Sequence, residues 1–305
     1  MKNQLFTIKN IFKVYLFFLV CGLFPKASLA AIKIGASVND LASIAASIGG
    51  AQVEAFSIAK SNTNPHSVEV LPSYMIQVSR ASIYLKVGLG LDQWADAIMD
   101  GARNNNLLVV DCSKGIVVLE KPDGKVDASK GDVHPEGNPH YWLNPENGII
   151  IAQNILSALQ KVDAAHAVQY EENFQKFKSE NEKRVQIWKS QLASLNGQKI
   201  ITYHSSWIYF TTAFGLSIAG YVEPFPGIPP SGNHLNDLVN LIKANKVKLL
   251  FQEAYFPDEA PKFLERQAGL KVFKFSPSAD TPKAGAFWKH FEDIIAKLKQ
   301  ESVIP

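Results

Sequence analysis

The segment DAAHAVQYEENFQKFKSENEKRVQIWKSQLASL, residues 163–195, decides the fold of this chain. It is rich in Glu, Lys, Gln and Ala and contains neither Pro nor Gly, which favours a helix. Its apolar residues recur at helical intervals around a polar interruption at Asn181: Phe174, Phe177, Val185, Trp188 and Leu192. We predict one long helix of roughly 50 Å, at about 1.5 Å per residue. A coiled-coil dimer is the alternative, but the heptads do not persist.

Short β-branched runs alternate with helical patterns on both sides of this segment. The strands predicted before it are 32–37, 53–58, 82–87 and 107–111, and those after it are 199–203, 216–221, 248–252 and 272–275. Helices are predicted between them at 40–48, 91–102, 233–244 and 284–299. Such alternation is typical of βα units with a parallel sheet. We therefore predict an α/β fold with two lobes, residues 31–162 and 196–305, joined by the long helix.

The first thirty residues have the pattern of a secretory signal. Three lysines precede an apolar run at residues 14–24, and Ser28-Leu29-Ala30 supplies small residues for cleavage. The apolar run is too short to span a bilayer, which takes about 20 residues. Cys21 follows Val20, where a lipid-attachment site would have a small residue, so we do not expect lipidation. The expected location is the periplasm.

Charge and cysteine content narrow the function further. The formal net charge of the whole chain is +3, and residues 1–30 contain four lysines and no acidic residue, so the remainder is close to neutral. This remainder has no basic stripe with interleaved aromatics, which argues against a nucleic-acid binder. Only Cys112 remains after the signal, so we expect no intramolecular disulfide.

Three histidines and one aspartate stand out as candidate metal ligands: His66, His140, His204 and Asp280. The intervals between them are 74, 64 and 76 residues, far too long for a zinc finger. Only the fold can assemble such a site. Three of the candidates follow predicted strands, and ligands of open α/β sheets bind outside the carboxyl ends of the strands. His140 lies instead in a loop stiffened by Pro139 and Pro145.

Six short motifs in order resemble one bacterial family, the substrate-binding proteins of zinc and manganese ABC importers. The motifs are Asn64-Pro65-His66 with Pro72-Ser73, Gly88-Leu89-Gly90-Leu91-Asp92-Gln93-Trp94, Pro139-His140-Tyr141-Trp142-Leu143-Asn144-Pro145, His204-Ser205-Ser206-Trp207 with Phe214-Gly215, Glu223-Pro224 with Pro230-Ser231, and Leu250-Phe251-Gln252-Glu253. The family has Asp where this chain has Asn64 and Asn144.

The resemblance implies two lobes joined by one rigid helix, with the metal in the cleft between them. It implies His66, His140, His204 and Asp280 as ligands, a membrane permease as partner and metal capture as the function. We expect Glu253 to support a ligand rather than to bind the metal itself. His134 is what remains of the long His-rich loop found in zinc-type relatives, and we expect His166, His234 and His290 on the surface. We also expect a monomer.

Three imidazoles and one carboxylate favour Zn²⁺. Mn²⁺ prefers more oxygen ligands, and manganese-type relatives tend to carry Glu where this chain has His204, so manganese is the alternative cargo. A zinc hydrolase would need an open coordination position and a free base, for which Glu253 is the candidate. A surface adhesin is a third reading, but the sequence contains no adhesive module. We expect no enzymatic activity.

Overall fold

The computed structural model describes residues 31–124, 131 and 134–301, so the expected signal and Cys21 lie outside the described residues. None of the described helices combines the length and apolar character that a membrane crossing requires. The first sheet is parallel, in the order β2-β1-β3-β4. Its strands are β1 (Ile32–Ala36), β2 (Val53–Ser57), β3 (Ile83–Lys86) and β4 (Leu108–Asp111). The helices of this half are α1 (Asn39–Gly49), α2 (Pro72–Val78), α3 (Trp94–Ala102) and α4 (Asn147–Val162).

The long helix α5 spans Ala167–Gln191, 25 residues or about 37 Å. It is shorter than the predicted helix because short 3₁₀ turns, Ala164–His166 and Ala193–Leu195, flank it. It connects the first sheet to a second parallel sheet with the equivalent strand order, β6-β5-β7-β8. These strands are β5 (Lys199–Thr202), β6 (Ser217–Tyr221), β7 (Leu249–Glu253) and β8 (Lys271–Phe275). The remaining helices are α6 (Ile208–Phe214), α7 (Gly232–Asn245), α8 (Glu259–Ala268) and α9 (Ala286–Glu301).

The predicted fold class is confirmed: two α/β halves with parallel sheets are joined by one long helix. Residues of both sheets and of α5 belong to one continuous apolar cluster, which also contains the buried free Cys112. One face of α5 packs on α9, where Phe177 lies 4.9 Å from Trp288 and Trp188 lies 5.4 Å from Phe291, ring centre to ring centre. The long helix therefore shares its core with elements from both halves.

Asn181, which interrupts the apolar row of α5, is fully buried and connects the halves by hydrogen bonds. Its Nδ2 donates to the carbonyl of Pro145, 2.8 Å away, at the start of α4. Its Oδ1 accepts from Nε1 of Trp288 in α9 at 2.9 Å. Asn181 therefore links the two halves, since both the NH₂ group and the oxygen of its side-chain amide have a hydrogen-bond partner.

We predict that Asn181→Ala lowers the free energy of unfolding by about 2 kcal/mol, because a buried carbonyl and a partly buried indole N–H lose their partner. Urea unfolding followed by circular dichroism measures this. Gln186→Ala, on an exposed position of the same helix, is the matched control and should leave the midpoint nearly unchanged. Equal midpoints for both variants would mean that Asn181 does not stabilise the junction.

Candidate metal centre

The three candidate histidines lie at the ends of different elements. His66 lies in the loop between β2 and α2, where its backbone N–H is bound by Oδ1 of Asn64 at 3.0 Å. The same loop is held by Trp94, whose Nε1 donates to the carbonyl of Pro65 at 2.9 Å. His140 directly precedes a 3₁₀ turn, Tyr141–Leu143, and His204 lies two residues after the end of β5. The first two come from one half of the fold and the third from the other.

The fold brings the three side chains together. One nitrogen from each of His66, His140 and His204 lies within 4.8 Å of the others, and they form a group that could hold a metal ion. Nε2 of His66 lies 3.1 Å from Nε2 of His140. Two imidazole nitrogens bound to one tetrahedral Zn²⁺ at about 2.0–2.1 Å are about 3.3 Å apart, so this spacing suits a shared ion.

The outer nitrogen of each ring has its own partner. Nδ1 of His140 lies 3.0 Å from Oδ1 of Asn138, and Nδ1 of His204 lies 2.7 Å from Oε2 of Glu223. Nδ1 of His66 lies 3.3 Å from Nε2 of His134. Such outer partners fix the tautomer of a metal-binding histidine and leave Nε2 for the metal. The buried Nε2 of His204 has no hydrogen-bond partner among the described residues, as expected of an atom reserved for an ion.

The electrostatic setting keeps the rings of His66 and His140 neutral. Burial lowers the pKa of His66 well below its usual value, and the neighbouring rings of His204 and His134 lower it further. The pKa of His140 is also well below its usual value, first through burial and then through His66, His204 and His134. At neutral pH both rings are therefore uncharged, which leaves a lone pair available for a cation.

Glu253 ends β7 behind His204 and is fully buried. Burial raises the pKa of its carboxyl, although the nearby His204 opposes this. Neither of its carboxylate oxygens has a hydrogen-bond partner within the described part of the chain. Glu253 does not belong to the three-histidine group, so its expected supporting role stays a prediction.

Asp280 is not brought to the histidines. It is exposed, and with Lys289 and His290 it lines a separate cavity. The physical reason is the backbone of its loop, which is tied to α1: Nδ2 of Asn39 donates to the carbonyl of Ala279 at 2.7 Å, and the N–H of Ala279 donates to Asp40 at 3.1 Å. Sequence spacing could not reveal these ties. Asp280 lies outside the three-histidine group, and its expected role as a fourth ligand stays a prediction.

The expected surface position of His290 is wrong, because the side chain is buried. Its Nε2 lies 2.8 Å from the carbonyl oxygen of Ser276, and its Nδ1 lies 3.4 Å from Oδ1 of Asp40. Burial alone would lower the pKa of His290, but the bonds to Asp40 and Ser276 raise it above its usual value. His290 thus belongs to the contact between α9, α1 and the loop after β8.

Sequence reasoning missed the outer partners. Asn138 and Glu223 both lie in segments with recognisable turn residues, but nothing in the sequence says which histidine each one contacts. Asn138 also donates from Nδ2 to Oε2 of Glu120 at 2.8 Å and to the carbonyl of Ser205 at 2.7 Å. These two bonds fix the amide so that its oxygen faces His140.

The family profile and the two relatives described here all belong to metal-uptake systems. The sequence profile of the family described as ZnuA, zinc-uptake complex component A periplasmic, matches residues 34–301. The manganese ABC transporter substrate-binding lipoprotein PsaA of Streptococcus mitis is 26% identical over 256 residues, which cover 81% of this chain and 80% of PsaA. The metal ABC transporter substrate-binding lipoprotein SloC of Streptococcus mutans is 26% identical over 279 residues, 85% of this chain and 88% of SloC.

A solved structure agrees with these sequences. The crystal structure of ZnuA has a TM-score of 0.76 at 26% identity and covers 88% of this chain and 98% of that one. The profile match extends over most of the sequence and over both sheets. The chain therefore belongs to the ZnuA family, the substrate-binding proteins of metal ABC importers.

Proposed function

We propose that this protein captures Zn²⁺ outside the cytoplasmic membrane through His66, His140 and His204 and delivers it to the membrane permease of an ABC importer. The observation that carries this proposal is the convergence of three imidazoles, with one nitrogen of each within 4.8 Å of the others, while each outer nitrogen has a hydrogen-bonding partner. The zinc ion is cargo, so the site must bind it and also release it.

The ligand set supports zinc over manganese. Imidazole nitrogens suit Zn²⁺, whereas Mn²⁺ favours carboxylate, carbonyl and water oxygens. Among the relatives, ZnuA is named for zinc and PsaA for manganese, so family membership alone does not choose the metal. We infer zinc because His204 adds a third nitrogen donor to the set. The outer nitrogen of this ring contacts Glu223.

A zinc hydrolase is the competing activity. The group offers three protein ligands, the number that catalytic zinc sites have, so the ligand count alone does not exclude a hydrolase. Family membership is the argument that favours transport, since the relatives named above are transporter substrate-binding proteins. Zinc-loaded protein without hydrolytic activity toward ester or peptide substrates, but with transport in a reconstituted importer, would support the proposed function.

PsaA and SloC are lipoproteins by name, whereas we expect no lipid on Cys21. Mass spectrometry of the protein isolated from its own membrane would measure a diacylglyceryl group directly.

The expected monomer is a further proposal, and light scattering of the purified protein tests it.

We predict one tightly bound Zn²⁺ per chain, because the described residues contain one such histidine group. Isothermal titration calorimetry with elemental analysis of the dialysed protein measures the ratio. A second ion of comparable affinity would contradict a site made by these three histidines alone.

We predict that His66→Ala, His140→Ala or His204→Ala weakens zinc binding by at least 100-fold, on the order of 3 kcal/mol, because water replaces a coordinating imidazole poorly. Competition with a chromophoric chelator measures the affinity. His234→Ala is the matched control, since this ring bonds the carbonyl of Tyr221 at 3.0 Å instead of a histidine. Asp280→Asn tests the expected fourth ligand: a loss as large as that of His66→Ala would show that its carboxylate reaches the metal, and normal binding would exclude it.

We predict that His204→Glu raises the ratio of manganese to zinc affinity, because it replaces a nitrogen donor with oxygen. A carboxylate at position 204 would meet Glu223, the present partner of His204, so the change is best made together with Glu223→Gln. The variant Glu223→Gln alone is the control. Competition titrations give the ratio, and an unchanged ratio would mean that cleft geometry rather than ligand type sets selectivity.

A further inference from the structure

His134 touches the site from outside the proposed ligand set. Its ring lies 5.1 Å from the ring of His66, centre to centre, with the planes 29° apart. Its Nε2 is 3.3 Å from Nδ1 of His66. The two ring planes are thus close to parallel, and the facing nitrogens are near enough for an N–H···N hydrogen bond.

The surroundings leave room for an imidazole at this position. The peptide N–H of Gly137 donates to the carbonyl of His134 at 3.1 Å, which closes a turn. Gly90 lies beside the ring: a Cβ at this position would come within 3.3 Å of Nδ1 of His134. Gly90 also has φ of +79°, so a side chain would be strained here for two reasons.

The tautomer of His66 decides whether it can bind a metal through Nε2. A neutral imidazole carries one proton, so a lone pair on Nε2 requires the proton on Nδ1. That proton points to Nε2 of His134, which must then accept it. Asn138 and Glu223 occupy the equivalent position for His140 and His204. His134 completes the set, so that every one of the three rings has an acceptor at its outer nitrogen.

We propose that His134 is a positioning residue of the metal site: its Nε2 accepts the Nδ1–H of His66 and holds the Nε2 lone pair of His66 toward the ion. This inference rests on the proposed function, because it assigns a role within the same metal site. His134 itself stays off the metal.

A direct test uses zinc-loaded protein with nitrogen-15-labelled histidine. A hydrogen bond between the two rings transmits a scalar coupling from Nδ1 of His66 to Nε2 of His134, and a purely steric role would not. We expect this coupling, together with metal-shifted Nε2 signals from His66, His140 and His204. A metal-shifted signal from His134 would make it a ligand and overturn the inference.

Two substitutions separate hydrogen bonding from space filling. His134→Gln keeps an acceptor oxygen, as Asn138 does for His140, whereas His134→Leu fills the space without one. We expect the Leu variant to bind zinc about tenfold more weakly or worse, as is typical when an outer partner is lost, and the Gln variant to recover most of the affinity. His234→Leu is the control for removing a histidine elsewhere and should bind like the unchanged protein.

The outcomes also separate this inference from the proposed function. If the unchanged protein binds no zinc at the three histidines, the proposed function fails. If it does bind zinc but the coupling is absent, or if the Leu and Gln variants bind equally well, only the role of His134 fails. Thermal unfolding of each variant without metal checks that the fold is retained.

Discussion

The three histidines converge only if the two sheets keep a fixed relative position. His66 and His140 belong to the first half and His204 to the second, so their convergence requires the halves to keep one relative position. The helix α5 supplies this through the core it shares with both halves and through Asn181, which bonds Pro145 on one side and Trp288 on the other. A buried amide far from the histidines thus helps to set the geometry of the metal site.

The outer partners differ in chemistry, and so do their effects on the three rings. Glu223 offers His204 a carboxyl oxygen, the kind of partner that raises the basicity of a ring, whereas the amide of Asn138 orients His140. Asn138 also reaches the second half through the carbonyl of Ser205, next to His204. The orientation of one ligand is therefore connected to the segment that carries another.

The sequence predicts the fold class well because parallel strands and helices leave periodic patterns within a few residues. It also identifies the three histidines, since strand ends and the proline-flanked loop place them predictably. The sequence does not predict features that depend on contacts between residues far apart along the chain. The bonds from Asn39 and Asp40 tie the loop before Asp280 to α1, and Asp40 also contacts the buried His290. His134 contacts His66 from 68 positions away, and no periodic pattern predicts such a contact.

The nitrogen-only character of the histidine group has a consequence for chemical durability. Thiolates are strong zinc ligands, but in an oxidising compartment they form disulfides or sulfenic acids. The sequence after residue 30 contains a single cysteine, Cys112, which is buried in the apolar core and is not part of the histidine group. A metal site built from these three histidines would therefore offer peroxide or disulfide exchange no sulfur ligand to attack, and would keep its capacity for metal when the surrounding redox potential changes.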